Sequence, residues 1–223
     1  MKKIIWIFII VLGILAACFF YSSPISPLRE VTESSSISGG NESQIKDGDV
    51  IFQTSQSSQS KAIQLATKSK YSHCGIVYKD GNEFNVYEAV QPVKSTPLNK
   101  WIARGESGKY IVKRLKNADD ILTPAVLKKM KQEGEKFKGK DYDGLFGWND
   151  EKIYCSELVW KIYKRGAGIE VGKLEKLKDF DLSSDIVKNT MKQRYGNNIP
   201  LNETVVSPMA VFESNLLETI IEK

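Results

Sequence analysis

Residues 71–89 read YSHCGIVYKDGNEFNVYEA, and they contain the only histidine of the chain, His73. Two runs rich in Val, Ile, Tyr and Phe flank Asp80-Gly81, a pattern that predicts a β-hairpin. If Asp80 and Gly81 form a two-residue loop, or if the loop has four residues, His73 lies directly opposite Glu88. Opposed residues share one face of a sheet and their side chains interact. The sequence therefore predicts an imidazole beside a carboxylate, unless a three-residue loop shifts the pairing.

The second informative stretch is residues 154–166, YCSELVWKIYKRG. Its apolar residues recur at helical spacing from Cys155 onward, and Gly166 is a suitable stop. We therefore expect Cys155 to begin a helix, where unpaired N–H groups and the helix dipole stabilise a thiolate. The same N–H groups could stabilise an oxyanion. The alternative for Cys155 is a small buried core residue.

The other cysteine of this part of the chain, Cys74, follows His73 directly. Alternation along a strand directs neighbouring side chains to opposite faces, so a His73 that faces Cys155 excludes Cys74 from that side. We expect Cys74 in the core behind the hairpin, which argues against the Cys74–Cys155 disulfide that an oxidising compartment would favour. One histidine and two distant cysteines do not have zinc-ligand spacing. A calcium loop from Asp141 would have Lys152 where a glutamate is needed, so we expect no metal and no cofactor.

The N-terminus is typical of an exported protein. Residues 1–17 combine two lysines, a long apolar run and a small-residue end, as in a secretory signal. Residues 15–18, LAAC, resemble the bacterial lipoprotein lipobox, which implies a lipid on Cys18. An uncleaved membrane anchor is the alternative, because the apolar run continues to Tyr21 and approaches membrane-spanning length. Both alternatives predict an extracytoplasmic, membrane-anchored protein of the cell envelope.

Composition supports one folded domain behind this segment. The chain has 223 residues, 41% hydrophobic and 26% charged, so it is long enough for a substantial core. Residues 18–44 are rich in Ser, Pro and Gly and predict a flexible tether, which leaves 45–223 as the domain. The net charge of +5 is scattered along helical stretches, which favours a solvated surface over nucleic-acid binding.

Patterning along the domain predicts mixed helices and strands. The predicted elements are strands at 50–52, 110–115 and 204–206, helices near 61–67, 123–139 and 184–195, and a last helix begun by Ser207-Pro208 that carries Leu216, Leu217, Ile220 and Ile221.

Several motifs together resemble the permuted papain-like amidases of the YiiX/YaeF type, relatives of the NlpC-like cell-wall peptidases. These motifs are GDVIF at 48–52, SHCGIV at 72–77, YEA at 87–89, YD at 142–143, YCSELV at 154–159 and VSP at 206–208. The resemblance implies an α+β, circularly permuted papain-like (NlpC-like) fold, with an antiparallel sheet packed against helices and histidine preceding cysteine. It also implies Cys155 as nucleophile, His73 as base and Glu88 as the third polar residue.

The resulting functional hypothesis is a membrane-tethered cysteine hydrolase that cleaves an amide of a peptide or peptidoglycan-type substrate through a thioester. One alternative keeps the Cys/His chemistry in an acyltransferase or lipid-directed hydrolase. The other is a non-catalytic cell-envelope binding module with a groove around Trp148 and Trp160, although such tryptophans belong more often to a core.

Overall fold

The computed structural model describes residues 42–223. The predicted signal peptide, Cys18 and nearly all of the tether lie outside the described residues, and lipidation and membrane anchoring stay predictions. Within residues 42–223, none of the helices has the length and apolar character needed to cross a membrane.

An antiparallel sheet of six strands forms the centre of this part of the chain. Its strands are β1 (Val50–Gln53), β2 (His73–Asp80), β3 (Glu83–Glu88), β4 (Lys94–Pro97), β5 (Ile111–Leu115) and β8 (Leu217–Glu222). Their order across the sheet is β4-β3-β2-β1-β5-β8. Two short strands, β6 (Glu175–Lys176) and β7 (Thr204–Val205), pair separately.

Helices pack on both faces of the sheet. The α-helices of the described residues are α1 (Ser60–Thr67), α2 (Leu98–Ala103), α3 (Ala118–Ile121), α4 (Pro124–Glu135), α5 (Cys155–Ala167), α6 (Asp185–Tyr195) and α7 (Pro208–Phe212), of which α1 and α6 pack against each other in a separate cluster. The main core joins one sheet face to α5 and α4, through residues such as Ile76, Met130 and Leu158. The opposite face packs against α2, where Trp101 contacts Val77 and Val86 in a second cluster.

The buried central helix, α5, begins at Cys155 as the sequence predicts. Lys164 and Arg165 occupy its last turn, where cations interact favourably with the helix dipole. The helix runs past Gly166, the predicted stop, and Gly168 caps it in the left-handed conformation. Ten of its thirteen residues are buried, so α5 is fixed by packing on several sides and holds its first residue rigidly.

The predicted last helix is wrong. Only Pro208–Phe212 is helical, with the Ser207 hydroxyl as its cap, and the chain then forms β8 beside β5. Leu217 and Ile221 are buried, and they pair with Leu115 and Val112. Apolar residues four positions apart fit one face of a strand as well as one face of a helix. The free edge of β5 therefore selects the strand.

The predicted hairpin exists, but its register differs from the prediction. The two loop residues are Gly81 and Asn82, and Asp80 pairs with Glu83. This register places Glu88 opposite Gly75, two positions from His73 along β2, and a two-residue shift keeps both side chains on the same face. Because Gly75 has no side chain, none stands between the imidazole and the carboxylate.

Gly75 is also required by close packing. A Cβ atom at this position would lie 2.5 Å from Val86 Cγ1 and 2.9 Å from the Tyr87 carbonyl oxygen. The hairpin strands can approach each other here only because residue 75 is glycine.

Candidate active site

His73 and Glu88 are in direct contact, as the sequence predicts, although they are diagonal neighbours rather than directly opposed. His73 is the first residue of β2 and Glu88 is the last residue of β3. The imidazole Nε2 lies 2.6 Å from Glu88 Oε2. His73 is 8% exposed and Glu88 is fully buried. Because water is excluded here, the short hydrogen bond to Glu88 fixes the orientation of the His73 ring.

Three further donors satisfy the Glu88 carboxylate. Thr96 Oγ1 donates to Oε1 at 2.7 Å, and Trp101 Nε1 donates to Oε2 at 2.9 Å. Arg104 Nη2 donates to Oε1 at 2.5 Å. The indole of Trp101 also stacks on the His73 ring, with centroids 5.9 Å apart. Each carboxylate oxygen thus accepts two hydrogen bonds, which holds Glu88 in one position.

Sequence reasoning did not find Thr96, Trp101 and Arg104 as partners of Glu88. These residues come from β4, α2 and the residue after α2, so their meeting at Glu88 depends on how the chain returns to the hairpin. The one local signal is Trp101 itself, since a buried tryptophan N–H needs an acceptor.

The environment of Glu88 favours its ionised form. Burial raises the pKa of the carboxyl, but hydrogen bonds from His73 and Thr96 and the charges of His73 and Arg104 outweigh this effect, so the pKa is below its ordinary value. For His73, burial alone would lower the pKa. Hydrogen bonds and charge interactions with Cys155 and Glu88 instead raise it to about 9.

Cys155 meets His73 at the start of α5. Its side chain is buried, and interactions with Cys74 and His73 lower the pKa of its thiol well below the ordinary value. The Cys74 thiol is the largest cause of the lowered Cys155 pKa; burial opposes it, and the His73 hydrogen bond and charge add to it. Because Nε2 of His73 contacts Glu88, Nδ1 is the ring nitrogen that remains for Cys155. The arrangement favours a thiolate–imidazolium pair.

The prediction that Cys74 is a core residue without a disulfide to Cys155 is confirmed, but the prediction that strand alternation keeps it away from Cys155 is wrong. Cys74 and Cys155 belong to the same core cluster on one side of the sheet, and both thiols are free. Alternation does separate the Cβ directions of His73 and Cys74. It does not determine which atoms a side chain reaches at the end of a strand, and His73 is a terminal residue of β2. Both side chains consequently reach the sulfur of Cys155.

Contacts with the chain before α7 hold the first turn of α5. Ser156 Oγ donates to the Val206 carbonyl oxygen at 2.7 Å, and the Val206 N–H donates to Tyr154 Oη at 3.1 Å. The first intrahelical bond is donated by Leu158. The N–H groups of the preceding residues of this turn have no intrahelical acceptor and remain available beside Cys155.

Tyr142 stands next to the cysteine in the loop before α5. Burial, followed by the charge of Cys155, raises the pKa of its phenol well above the ordinary value. Its oxygen accepts a hydrogen bond from Gln59 Nε2 at 2.8 Å, and Gln59 Oε1 accepts one from Arg194 Nη2 at 2.6 Å. The Tyr142 phenol thus stays protonated, and its oxygen already accepts a bond.

Two cavities of different character meet near these residues. A small apolar cavity of about 90 Å³ is lined by residues that include Ala62, Ala66, Phe146, Cys155, Leu177 and Met191. A larger polar cleft of about 820 Å³ is lined by residues that include Gln53, Ser72, His73, Gln91 and Arg104. Tyr142 lines both cavities.

The predicted tryptophan groove is absent from these two cavities. The rings of Trp148 and Trp160 pack against each other in an edge-to-face arrangement, with centroids 5.3 Å apart, and neither residue lines either cavity. Trp160 donates to the Gly172 carbonyl oxygen at 3.1 Å. Trp148 therefore packs against Trp160 of α5.

Comparison with known proteins agrees with this geometry. The family model described as "Permuted papain-like amidase enzyme, YaeF/YiiX, C92 family" matches residues 44–221. The chain belongs to this family. The expected α+β, permuted papain-like fold is thereby confirmed, with His73 preceding Cys155 along the chain.

Two relatives of the family can be compared with the chain. "Uncharacterized protein YiiX" of Escherichia coli (strain K12) is 52% identical over 173 residues, which cover 78% of this chain and 84% of that protein. A solved structure, titled "Crystal structure of metalloprotein yiiX from Escherichia coli O157:H7", is 50% identical with a TM-score of 0.77. The match covers 81% of this chain and 98% of that one.

That relative is called a metalloprotein. Among residues 42–223, no group of three or more His, Cys, Asp or Glu side chains is arranged to hold a metal ion. The single histidine, His73, has its Nε2 engaged by Glu88. Residues 42–223 therefore do not fit a metal centre.

Proposed function

We propose that this protein is a cysteine hydrolase that cleaves an amide bond in a peptide or peptidoglycan-type substrate through a thioester acyl-enzyme. The proposal rests on one observation, which is that Cys155, His73 and Glu88 are all buried and follow one another in this order in the site. Here a helix-start thiol contacts an imidazole, and a carboxylate held by four donors orients that imidazole. This is the arrangement of an activated nucleophile, its base and an orienting group. Membership of a family of amidases supports the same reaction class.

The first half of the reaction forms the acyl-enzyme. The Cys155 thiolate attacks the carbonyl carbon of the amide, and the carbonyl oxygen becomes a tetrahedral oxyanion. The His73 imidazolium then donates its proton from Nδ1 to the amide nitrogen, the C–N bond breaks, and the amine leaves. The product is a thioester on Cys155 and a neutral His73, with Glu88 ionised throughout.

The second half regenerates the enzyme. Neutral His73 removes a proton from water, the resulting hydroxide attacks the thioester carbonyl, and the C–S bond breaks. The acid product leaves, and the thiolate–imidazolium pair forms again. The polar cleft lies on the His73 side, which suits the entry of water and the exit of the amine.

The oxyanion has donors on two sides. The free N–H groups of the first turn of α5 lie at Cys155. The Tyr142 oxygen already accepts a bond from Gln59, so its own proton is free for donation to a substrate oxygen. Arg194 polarises Gln59 and so strengthens Tyr142 as a donor.

The proposal is tested by incubating the protein with a panel of short peptide amides and cell-wall fragments. We expect release of amine from at least one substrate class, together with an acyl adduct on Cys155 that intact-mass analysis detects after acid quenching. Absence of cleavage across the panel, with the protein folded and Cys155 reduced, would count against an amide hydrolase.

The raised pKa of His73 predicts the pH dependence of cleavage. The protonated ring donates to the leaving amine, so we expect kcat/KM to fall as the pH rises through about 9, above the ordinary histidine value of 6.5. The contribution of this ring to folding stability has the same sign. Because the folded state binds the proton more tightly, that contribution is complete below pH 6.5 and is lost as the pH rises through about 9.

Rates measured from pH 5 to 10, together with urea unfolding at both ends of the range, check this prediction. An upper limb of kcat/KM near pH 6.5 would show that Cys155 and Glu88 do not hold the imidazolium.

The apolar cavity favours a second candidate, an acyltransferase or lipid-directed hydrolase that uses the same residues. Cys155 lines a space whose other walls are aliphatic and aromatic, and such a lining suits the hydrocarbon part of an acyl group. In this candidate the thioester carries a fatty acyl chain, and either water or another nucleophile accepts it.

Acyl amides of increasing chain length distinguish the two candidates. If the cavity holds the acyl chain, kcat/KM rises with chain length, and Ala66→Leu removes that gain because Ala66 lines the cavity. The matched control is Ala125→Leu, at an exposed position of α4. A flat length dependence in the unmodified protein would favour the peptide amidase, and product analysis with added alcohols or amines separates transfer from hydrolysis.

A further inference from the structure

The polar cleft beside His73 contains a buried amide that the mechanism does not use. Gln53 is the last residue of β1, pairs with His73 of β2 and lines this cleft. It is 2% exposed, and its Oε1 has no hydrogen-bond partner among residues 42–223. Opposed residues of neighbouring strands share one face and their side chains interact. The Gln53 amide therefore stands next to the imidazole that donates a proton to the leaving amine.

Two other glutamines of the cleft are bonded at both ends of their amides. Gln91 Nε2 donates to Asp141 Oδ1 at 2.6 Å, and Gln91 Oε1 accepts from the Tyr142 N–H at 2.8 Å. Gln59 is bonded through both Nε2 and Oε1. Buried polar atoms without a partner are rare in folded proteins. The free oxygen of Gln53 is thus an exception that a bound ligand would explain.

The chain reserves space for this amide at Gly105. A Cβ atom on residue 105 would clash with Gln53 Oε1 and would lie 3.3 Å from the Ile102 carbonyl oxygen. The φ of Gly105 is −75°, which any residue adopts, so glycine is needed here for space and not for conformation. A carbonyl oxygen is an acceptor and suits the NH₂ end of the amide better than its oxygen. Because the terminal torsion of glutamine is soft, the amide can turn its Nε2 toward Ile102 and its Oε1 toward the cleft when a ligand offers an N–H.

Arg104 is the open charge of the cleft. Its Nη2 donates to Glu88 Oε1 at 2.5 Å, yet 43% of its side chain is exposed. A guanidinium has five N–H donors, so donors remain for a ligand. Among the cleft-lining residues that the structure describes, none is Asp or Glu. An open guanidinium in a cleft without acidic walls suits a carboxylate, which it can bind through two parallel hydrogen bonds.

We propose that the cleft binds the amine half of the substrate, and that this half is a short peptide with a free terminal carboxylate. Arg104 binds the carboxylate, and Gln53 Oε1 accepts a hydrogen bond from the peptide N–H that follows the scissile amide. Both residues stand beside His73, Gln53 as its strand partner and Arg104 through Glu88. The inference rests on the proposed function for the direction of the substrate, since the His73 side receives the leaving amine. Gln53 and Arg104 thus select the substrate by its amine half.

A pair of substrates tests the role of Arg104. They share one acyl group, and their amine halves are a dipeptide with a terminal carboxylate and the same dipeptide with a terminal carboxamide. We expect kcat/KM to be about tenfold higher for the carboxylate, because a charge-assisted hydrogen bond is gained, and we expect Arg104→Gln to abolish this preference. The lost donor to Glu88 lowers both rates and cancels in their ratio. Equal rates in the unmodified protein, or an unchanged ratio in the variant, would overturn the proposal.

Replacement of the peptide N–H by an ester oxygen tests Gln53. We expect the ester to lower kcat/KM about fivefold in the unmodified protein and to have no effect in Gln53→Met, which keeps the length of the side chain and removes the amide. Gln56→Met is the matched control, since Gln56 also lines the cleft and its Nε2 donates to the Gly105 carbonyl oxygen at 3.2 Å. We expect this variant to keep the full ester penalty. An equal penalty in Gln53→Met would show that Gln53 only fills space.

Binding without cleavage separates this proposal from the hydrolase proposal. Alanyl-alanine and its C-terminal amide are titrated into Cys155→Ala, and NMR of the single histidine follows binding. We expect the dipeptide to bind about tenfold more tightly than its amide, and the difference to disappear when Arg104→Gln is added. This preference without any substrate cleavage would leave the cleft assignment standing and remove the hydrolase. Cleavage without such a preference would do the reverse, and failure of both dipeptides to bind would overturn the cleft assignment.

Discussion

Cys155→Ala is expected to lower kcat for amide cleavage by about 10⁴-fold or more, and to leave folding and substrate binding largely intact. The size of the loss follows from the role of the residue, since removal of a nucleophile eliminates the covalent route and leaves only binding and oxyanion contacts. The side chain is buried at the first position of α5 and contributes one small group to the core, so the structural cost is modest. The measurement is steady-state cleavage of the best substrate of the panel, with substrate binding followed separately.

Two further variants make this result specific. Cys155→Ser keeps the shape of the site but replaces a stabilised thiolate with a hydroxyl, so we expect it to be nearly as inactive as the alanine variant. Cys74→Ser changes the other buried thiol and is expected to keep most of the activity. Full activity of Cys155→Ala would refute the thioester mechanism.

Glu88→Gln is expected to lower kcat by about 10³- to 10⁴-fold, comparable with the loss when the carboxylate of a serine-protease triad becomes an amide. The carboxylate accepts from His73 and Trp101 on one oxygen and from Thr96 and Arg104 on the other. A glutamine amide must turn its NH₂ group toward one of these pairs of donors. In either orientation the glutamine NH₂ group, itself a donor, faces a pair of buried donors.

The same substitution has a signature in the titration of His73. Without the Glu88 charge, the pKa of the imidazole should fall from about 9 toward its ordinary value, and NMR of the single histidine can follow it. Glu83→Gln is the matched control, because Glu83 is an exposed residue of the same strand. An unchanged titration of His73 in Glu88→Gln would contradict the orienting role of Glu88.

Stability should respond to Glu88 as well. Glu88→Ala leaves the His73, Thr96 and Trp101 donors buried without their acceptor, and each such buried unpaired group costs about 1–3 kcal/mol. Because the pKa of Glu88 is lowered on folding, its contribution is present at neutral pH and is lost as the pH falls through the folded value.

Much of the site was predictable because it depends on local features. A thiol at the start of an amphipathic helix is visible in the spacing after Cys155. The single histidine, with an Asp-Gly pair nearby, indicates a hairpin. The pairing of His73 with Glu88 survived a wrong loop assignment because a shift of two residues preserves the face of a strand. An odd shift would have removed the contact.

The errors have a common cause. The spacing of apolar residues within one segment does not determine which distant segments it contacts. The residues at 216–221 fit both a helix and a strand, and the free edge of β5 selects the strand. Alternation correctly assigned directions to His73 and Cys74. It failed to predict that both reach one sulfur, because the helix start lies at the end of β2, where a side chain can extend beyond the sheet.

The sequence by itself determined the reactive residue types, their order along the chain and the elements that carry them, since hydrophobic period, turn residues and helix ends are properties of neighbouring residues. Only the tertiary structure decided what surrounds those residues. It brought Thr96, Trp101 and Arg104 to Glu88, placed Cys74 against Cys155, and set an apolar cavity beside a polar cleft at Tyr142. These contacts join segments far apart in sequence, and burial gives them their strength, because hydrogen bonds and charges act more strongly where water is excluded.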